Sequence, residues 1–149
     1  MPLPQIQLLI KKSGIPGAGN GLFTKQFIEK GSRVAEYTGE ITTWKKVLQI
    51  EKETKVFSKY LYYLHANHVI DAGNHLKILA RYANDAKGLM KITGLVNNCK
   101  YVEDNGNVFM EATKNIPAGA EILISYGKEY WAVVRSINKS EFTHPPAIF

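Results

Sequence analysis

The strongest constraint on the fold of this chain is the turn sequence Glu103-Asp104-Asn105-Gly106, which stands between two runs suited to β-strands. An Asn-Gly pair tolerates the positive φ angles that a two-residue hairpin turn requires. Residues 97–102 and 107–112 are therefore predicted to pair as an antiparallel hairpin.

Further short strands are predicted along the chain, each bounded by glycine, proline or polar turn residues. Residues 78–82 are predicted to form a helical turn, and residues 85–96 a loop. The predicted strands cover residues 5–10, 22–24, 33–37, 69–71 and 121–126.

One long helical signal covers residues 43–65, with Thr43 as its N-cap and a candidate break near Thr54. Apolar residues recur there at spacings of three and four, which is typical of a helix face that packs in a core. Several short strands with one substantial helix indicate a mainly β, α+β domain. The residues of the stripe are Trp44, Val47, Leu48, Phe57, Tyr60, Leu61 and Leu64.

The length of 149 residues, with 45% hydrophobic content, suits one compact domain with its own core. No apolar run of about 18 residues is present, so no membrane span and no membrane partner are predicted. At the N-terminus the charge follows the apolar run, the reverse of a secretory signal. The sequence therefore predicts a cytoplasmic or nuclear protein.

The formal net charge of +6 leaves two interpretations open. An acidic partner such as nucleic acid is one, but the basic residues are scattered among acidic ones, which favours a solvated surface. The single cysteine, Cys99, excludes an internal disulfide and a multi-cysteine zinc cluster, and is predicted to be a small buried hydrophobe. The sequence contains no nucleophile elbow, P-loop or helical histidine pair, which disfavours classical hydrolases and metalloenzymes.

Ala18-Gly19-Asn20-Gly21 is the one glycine-rich segment with a potential binding role. Two glycines allow the backbone to approach a ligand closely and to expose its N–H groups. A dinucleotide fingerprint would need a third glycine and a following helix, whereas residues 22–24 are predicted as a strand. Taken alone, the segment is better explained as a plain loop than as a binding site.

Four short segments occur in a recognisable order along the chain. They are Gly19-Asn20-Gly21-Leu22-Phe23; Glu36-Tyr37-Thr38-Gly39-Glu40; Gly73-Asn74 leading to Ala80-Arg81-Tyr82-Ala83-Asn84-Asp85; and Asn98-Cys99-Lys100-Tyr101 with residues 116–122 and 125–131. Together they resemble the SET domain of protein-lysine methyltransferases, over about residues 6–131.

The resemblance implies a β-clip-type fold of several small sheets, with one inserted helical segment and a pseudoknot-like threading of the C-terminal motif through a loop made by residues 81–84. It implies a domain over residues 1–135. The zinc-binding cysteines that follow many SET domains are absent. The tail, residues 136–149, is therefore expected either to close the cofactor pocket or to be disordered.

The resemblance also implies the cofactor S-adenosyl-L-methionine. In this sequence the family's Gly-x-Gly loop is Gly19-Asn20-Gly21, and Asp85 stands where the family usually has histidine, with its backbone addressing the adenine. The cofactor-binding residues implied in this way are Ala18, Gly19, Asn20, Gly21, Leu22, Asn84, Asp85 and Trp131.

Tyr126 is implied as the catalytic tyrosine, with Tyr37 and Tyr101 lining the substrate channel. Ile124, two residues before Tyr126, lacks the hydroxyl that often limits methylation in relatives. Tyr101 resembles the alternative placement of that hydroxyl, which predicts mono- or dimethylation.

The predicted function is transfer of a methyl group to a lysine of a protein or peptide, with histone tails among the candidate substrates. No metal is predicted, and direct nucleic-acid binding is left open. The alternative is a catalytically weak SET-like module that binds protein or nucleic acid. Asp85 and the long link before Asn97 favour that alternative.

Overall fold

Short strands bounded by turns make up most of the regular structure. The computed structural model describes residues 6–55, 60–73, 78–87, 92–128 and 130–131. Among these are the α-helix α1 (Trp44–Thr54) and a 3₁₀ turn (Leu79–Tyr82). The strands are β1 (Leu8–Lys12), β2 (Asn20–Thr24), β3 (Arg33–Tyr37), β4 (Glu40–Thr42), β5 (Leu61–His65), β6 (His68–Asp71), β7 (Cys99–Asp104), β8 (Asn107–Ala112) and β9 (Glu121–Ile122).

The described residues fall into two units, which are treated separately. Unit 1 takes its residues from Met1–Tyr37 and Leu79–Ser125, and unit 2 from Thr38–Ile78 and Tyr126–Phe149. Unit 1 contains two antiparallel sheets, ordered β1-β2-β9 and β3-β8-β7, and unit 2 contains one, ordered β4-β6-β5.

The predicted hairpin is confirmed as β7–β8, with Asp104 opposite Asn107 across the turn. Asn105 and Gly106 have φ angles of 52° and 81°, both in the left-handed region. This pair of positive φ angles matches the right-handed twist of the flanking strands. Val108 and Met110 on β8 are fully buried, so the hairpin contributes one face to the core of unit 1.

The segment Leu123–Ile124 passes between two parts of unit 1. Ile124 N donates to Asn84 O at 2.8 Å, and the N–H groups of Asn98 and Cys99 both donate to Leu123 O, at 2.8 and 3.0 Å. The two flanking parts are the ends of the loop 85–97. The C-terminal strand therefore passes between the ends of a loop, as expected for a pseudoknot-like SET fold.

The predicted strand 121–126 is only partly correct. Its ladder with β2 covers Glu121 and Ile122, and Leu123 and Ile124 then form isolated parallel bridges with Asn84 and Cys99. Tyr126 lies beyond the last bridge. The change of partner from one antiparallel neighbour to two parallel ones ends the regular strand.

The helix prediction is correct at its start and at the candidate break near Thr54, and wrong for residues 61–65. Thr43 Oγ1 accepts from Lys46 N at 3.1 Å, the contact expected of an N-cap. The helix stops at Thr54 because Lys55 adopts a left-handed conformation, with φ of 55°. Leu61–His65 is a strand, paired with β6, and not a helix. Phe57 lies outside the described residues.

Pairing with the adjacent strand β6 explains the error after residue 60. Leu61 and Val69 are buried with Val47 in the core of unit 2, and Trp44 and Tyr63 pack against this cluster. Leu48, predicted as core, is 38% exposed. An aromatic and aliphatic run such as Leu61–His65 is compatible with a strand as well as with a helix face. Antiparallel pairing with β6 therefore determines which of the two forms.

Among the described residues, no helix has both the length and the apolar character needed to cross a membrane.

Candidate active site

The glycine-rich loop between β1 and β2 is closed at its base by a backbone hydrogen bond. Ser13 N donates to Gly19 O at 2.8 Å. Gly17 and Gly19 have φ angles of 80° and 72°, which favour glycine. A Cβ added at Gly19 would meet no other atom within 4 Å, so one side of this backbone is open to a ligand.

Asn84 joins this loop to the segment that the C-terminal strand passes. Its side-chain Nδ2 donates to Asn20 O at 3.0 Å, across 64 positions of sequence. Its main-chain oxygen accepts from Ile124 N at 2.8 Å. Two of the predicted cofactor-binding residues, Asn20 and Asn84, are therefore brought into contact.

Two other residues of the predicted cofactor set are held in the core of unit 1. Leu22 is fully buried in β2, where it pairs with Ile122. Ala18 packs against the buried cluster of Ile15, Ala86 and Leu123. Because the whole residue is enclosed, between Ile10 on one neighbouring strand and Ile122 on the other, Leu22 presents no exposed surface to a ligand.

Asp85 is 5% exposed, and its side chain is engaged within the following loop. Oδ1 accepts from Lys87 N at 2.8 Å and from Asn97 Nδ2 at 2.9 Å. Asn97 Oδ1 in turn accepts from Ala86 N at 2.8 Å. The Asp85 carboxylate therefore accepts the hydrogen bonds that close the loop 85–97. This gives a physical reason for an acidic residue at this position.

Tyr37 and Tyr101 contact each other across the sheet that carries them. They lie on β3 and β7, on either side of β8, with ring centroids 6.1 Å apart and planes at 85°. This edge-to-face geometry is favourable for aromatic pairs. Tyr37 is 2% exposed and Ile124 is fully buried, so both belong to the interior of unit 1, whereas Tyr101 is half-buried.

Cys99 is confirmed as a buried hydrophobe. Its residue is 3% exposed, and burial raises the pKa of its thiol to about 12. Since the thiolate is the nucleophilic form, a thiol with this pKa is inert at neutral pH.

Tyr126 lies in an aromatic cluster within unit 2. The Trp131 ring is nearly parallel to that of Tyr126, at 10° and 5.9 Å between centroids. Tyr130 presents an edge contact to both, at 4.9 Å from Tyr126 and 5.0 Å from Trp131. The predicted catalytic tyrosine and the predicted adenine-covering tryptophan are thus in contact, and Tyr130 is a member of the cluster that sequence reasoning did not single out.

Sequence reasoning also missed Ser13 and Glu121. The Glu121 carboxylate is 9% exposed and accepts from Ser13 Oγ at 2.6 Å. The signal in the sequence was an acid between Ala120 and the apolar run Ile122-Leu123-Ile124, since a buried charge requires partners.

Within the described ranges, no group of three or more histidine, cysteine or acidic residues is arranged to hold a metal ion. The residues discussed above offer hydroxyl, amide and backbone groups. Groups of this kind are suited to binding and orienting an organic ligand.

Comparison with known proteins gives a consistent set of matches. The family model of the SET domain matches residues 19–127. The histone-lysine N-methyltransferase EZH2 of Chaetomium thermophilum is 30% identical over 133 residues, covering 83% of this chain and 8% of its own length. The N-lysine methyltransferase KMT5A-A of Danio rerio is 27% identical over 123 residues, covering 76% of this chain and 33% of its own length.

A solved structure supports the same relationship. One chain in the crystal structure of an active polycomb repressive complex 2 in the basal state superimposes with a TM-score of 0.62 and 30% sequence identity. The match covers 81% of this chain and 15% of that one. The chain therefore spans a third or less of the length of the relatives described here.

Proposed function

We propose that this chain, which belongs to the SET-domain family, transfers a methyl group from S-adenosylmethionine to the side-chain amine of a lysine in a protein. The observation that carries the proposal is the family match from Gly19 to Gly127. It begins in the open glycine-rich loop and ends one residue after Tyr126. Two relatives named as lysine methyltransferases support the same reaction class.

The cofactor-binding residues in this proposal are the loop Ala18–Leu22, Asn84, the backbone of Asp85, and Trp131. The loop fits such a ligand because its backbone is open at Gly19, while Asn84 holds the neighbouring carbonyl of Asn20. S-adenosylmethionine supplies the methyl group as part of a sulfonium cation. Exposed backbone N–H groups and an oriented amide suit the polar amino-acid end of this molecule.

Tyr126 is proposed as the catalytic residue, which orients the lysine amine through its hydroxyl. A free lysine has a pKa near 10.4, so only about one in 2,500 is neutral at pH 7. Tyr37 and Tyr101 are proposed to line an apolar channel, which disfavours the ammonium form and excludes water. Positioning of the neutral amine then lowers the barrier to a direct displacement.

The proposed product is mono- or dimethyl-lysine. Ile124, two residues before Tyr126, contributes no hydroxyl. Tyr101, on β7, supplies the hydroxyl that is proposed to limit the number of methyl groups added.

A lysine-containing protein or peptide is the proposed partner, and a histone tail is one candidate. The net charge of +6 opposes a basic tail unless acidic residues cluster where it binds, so a non-histone protein is the other candidate. We propose a cytoplasmic or nuclear location, and a domain over residues 1–135 with the tail 136–149 closing the cofactor pocket. That tail lies outside the described residues.

A catalytically weak module that binds protein or nucleic acid is the alternative, and Asp85 favours it. Isothermal titration with S-adenosylmethionine separates the two functions. A folded protein that does not bind the cofactor would support the alternative. A nucleic-acid binder would in addition lose affinity steeply with salt.

Transfer of a labelled methyl group to a panel of histones and to cell extract tests the proposed reaction directly. Tyr126→Phe is expected to abolish transfer and to retain cofactor binding. Tyr63→Phe is the matched control, since Tyr63 packs on the Val47 cluster of unit 2 and has no assigned role in the reaction. Full transfer by Tyr126→Phe would contradict the catalytic assignment.

A further inference from the structure

Glu121 is a buried acid that the proposed reaction does not use. It lies in β9 and pairs with Phe23 of β2, which places it diagonally opposite Gly21. Burial of an ionised carboxylate is unfavourable unless hydrogen bonds replace its hydration. The hydrogen-bond donors around Glu121 therefore indicate which part of the chain its carboxylate stabilises.

Both carboxylate oxygens bind the start of the glycine-rich loop. Oε2 accepts from Ser13 Oγ at 2.6 Å, and Oε1 accepts from Gly14 N at 2.9 Å. Ser13 is itself 6% exposed, and its Oγ accepts from Ile15 N at 3.1 Å. Hydrogen bonds to an ionised acceptor are roughly twice as strong as neutral ones, so this cluster is a firm anchor.

The same carboxylate packs against the end of the loop. A Cβ added at Gly21 would collide with Glu121 Oε2 and would lie 3.1 Å from both Glu121 Cδ and Ser13 Cβ. The absence of a side chain at Gly21 is therefore what makes room for the acid. Ser13 N closes the loop by donating to Gly19 O at 2.8 Å.

We propose that Glu121 is the positioning residue of the loop Ala18–Gly21, and that its carboxylate holds the backbone in the conformation that receives S-adenosylmethionine. The proposal rests on the proposed function, because it assigns the loop to this cofactor. A loop that is already ordered before binding loses less conformational entropy when the ligand arrives, so the anchor acts on cofactor affinity.

Glu121→Gln tests this proposal, because it preserves the size of the side chain and removes its charge. Titration with S-adenosylmethionine is expected to give a dissociation constant raised by about tenfold, the effect of losing a charged acceptor. Amide hydrogen exchange is expected to accelerate locally at Ser13, Gly14 and Ile15. Glu29→Gln, which changes an exposed acid of the same unit, is the matched control and should match wild type in both measurements.

An unchanged affinity in Glu121→Gln, with wild type binding the cofactor, would overturn the proposal. So would faster exchange spread evenly through unit 1, which indicates a general structural role. If Glu121→Gln does not fold, Ser13→Ala tests the proposal instead, because it removes one hydrogen-bond donor to the Glu121 carboxylate. An unchanged affinity for S-adenosylmethionine in Ser13→Ala would likewise overturn the proposal.

If the proposed function itself is wrong, the titration of wild type gives a different result. Wild type would then not bind S-adenosylmethionine. Local acceleration at residues 13–15 in Glu121→Gln would still support its anchoring of the loop.

Discussion

Asp85 and Asn97 close the loop between them by a direct side-chain hydrogen bond of 2.9 Å, across 12 positions of sequence. The Asp85 oxygen that accepts this bond also accepts from Lys87 N, and Asn97 Oδ1 accepts from Ala86 N. Asp85, which the resemblance places where the family usually has histidine, is therefore part of a local network that orders the start of the loop. The long link before Asn97, which looked like a departure from the family, is held by this network.

Asp85→His is expected to destabilise the protein by about 1–3 kcal/mol, because it removes the buried carboxylate that accepts from Lys87 N and Asn97 Nδ2. Urea unfolding measures the free energy change. Asp85→Asn retains one carbonyl acceptor and is expected to have the smaller effect. Equal stability of wild type and Asp85→His would show that the network contributes nothing.

Asn84→Ala is expected to weaken S-adenosylmethionine binding by roughly threefold to tenfold, the range for one lost hydrogen bond. The physical reason is release of the Asn20 carbonyl, which Asn84 Nδ2 holds at 3.0 Å. Isothermal titration gives the affinity. Asn115→Ala is the control, since it removes a comparable side-chain contact to Lys30 N away from the loop; equal losses in the two variants would argue against a specific role for Asn84.

Gly39→Ala is expected to lower the unfolding free energy by about 1–3 kcal/mol, the usual cost of overpacking. A Cβ at Gly39 would collide with Asp71 O and lie 2.7 Å from Asp71 C. Gly39 thus allows the close approach of two backbone segments within unit 2, which explains the glycine of Tyr37-Thr38-Gly39. Gly14→Ala, whose added Cβ would make ordinary contacts of 3.6 Å or more, should cost less in the same urea experiment.

Cys99 is expected to make stability fall at high pH. Burial raises its pKa from 9.0 to about 12, so the unfolded chain loses the thiol proton first. The contribution is complete below pH 9 and declines as pH rises toward 12. Urea unfolding of wild type and Cys99→Ala between pH 7 and pH 11 measures it; identical pH profiles would contradict the prediction. Iodoacetamide should also react slowly with the native thiol.

Tyr101→Phe is expected to increase the number of methyl groups added, because it removes the hydroxyl proposed to limit the pocket. Mass spectrometry of the product counts the methyl groups. Efficient trimethylation by wild type, unchanged in Tyr101→Phe, would rule out this limit.

Elements with local signals were predicted well from sequence. The hairpin turn at Asn105-Gly106 and the N-cap at Thr43 depend on the conformational preferences of a few adjacent residues. β3 and β8 have the predicted bounds. Strand β4 was missed: it has only three residues, and Ile41 within it is 58% exposed, so it has no buried face to generate a pattern.

The candidate site was likewise predicted in part from the sequence. The motif order from Gly19 to Gly127 indicated the family, which the family match confirms. The roles of the candidate residues remain predictions. The contacts of Asn84 with Asn20, of Asp85 with Asn97 and of Glu121 with Ser13 could not be predicted, because each joins residues from separate segments.

The sequence by itself determined the turns, the start of the helix and the order of the motifs, because backbone preferences act over a few residues. Only the tertiary structure decided that Leu61–His65 is a strand and that Glu121 is an anchor. Glu121 and Ser13 are 108 positions apart, and a buried carboxylate is stable only where the fold supplies its donors.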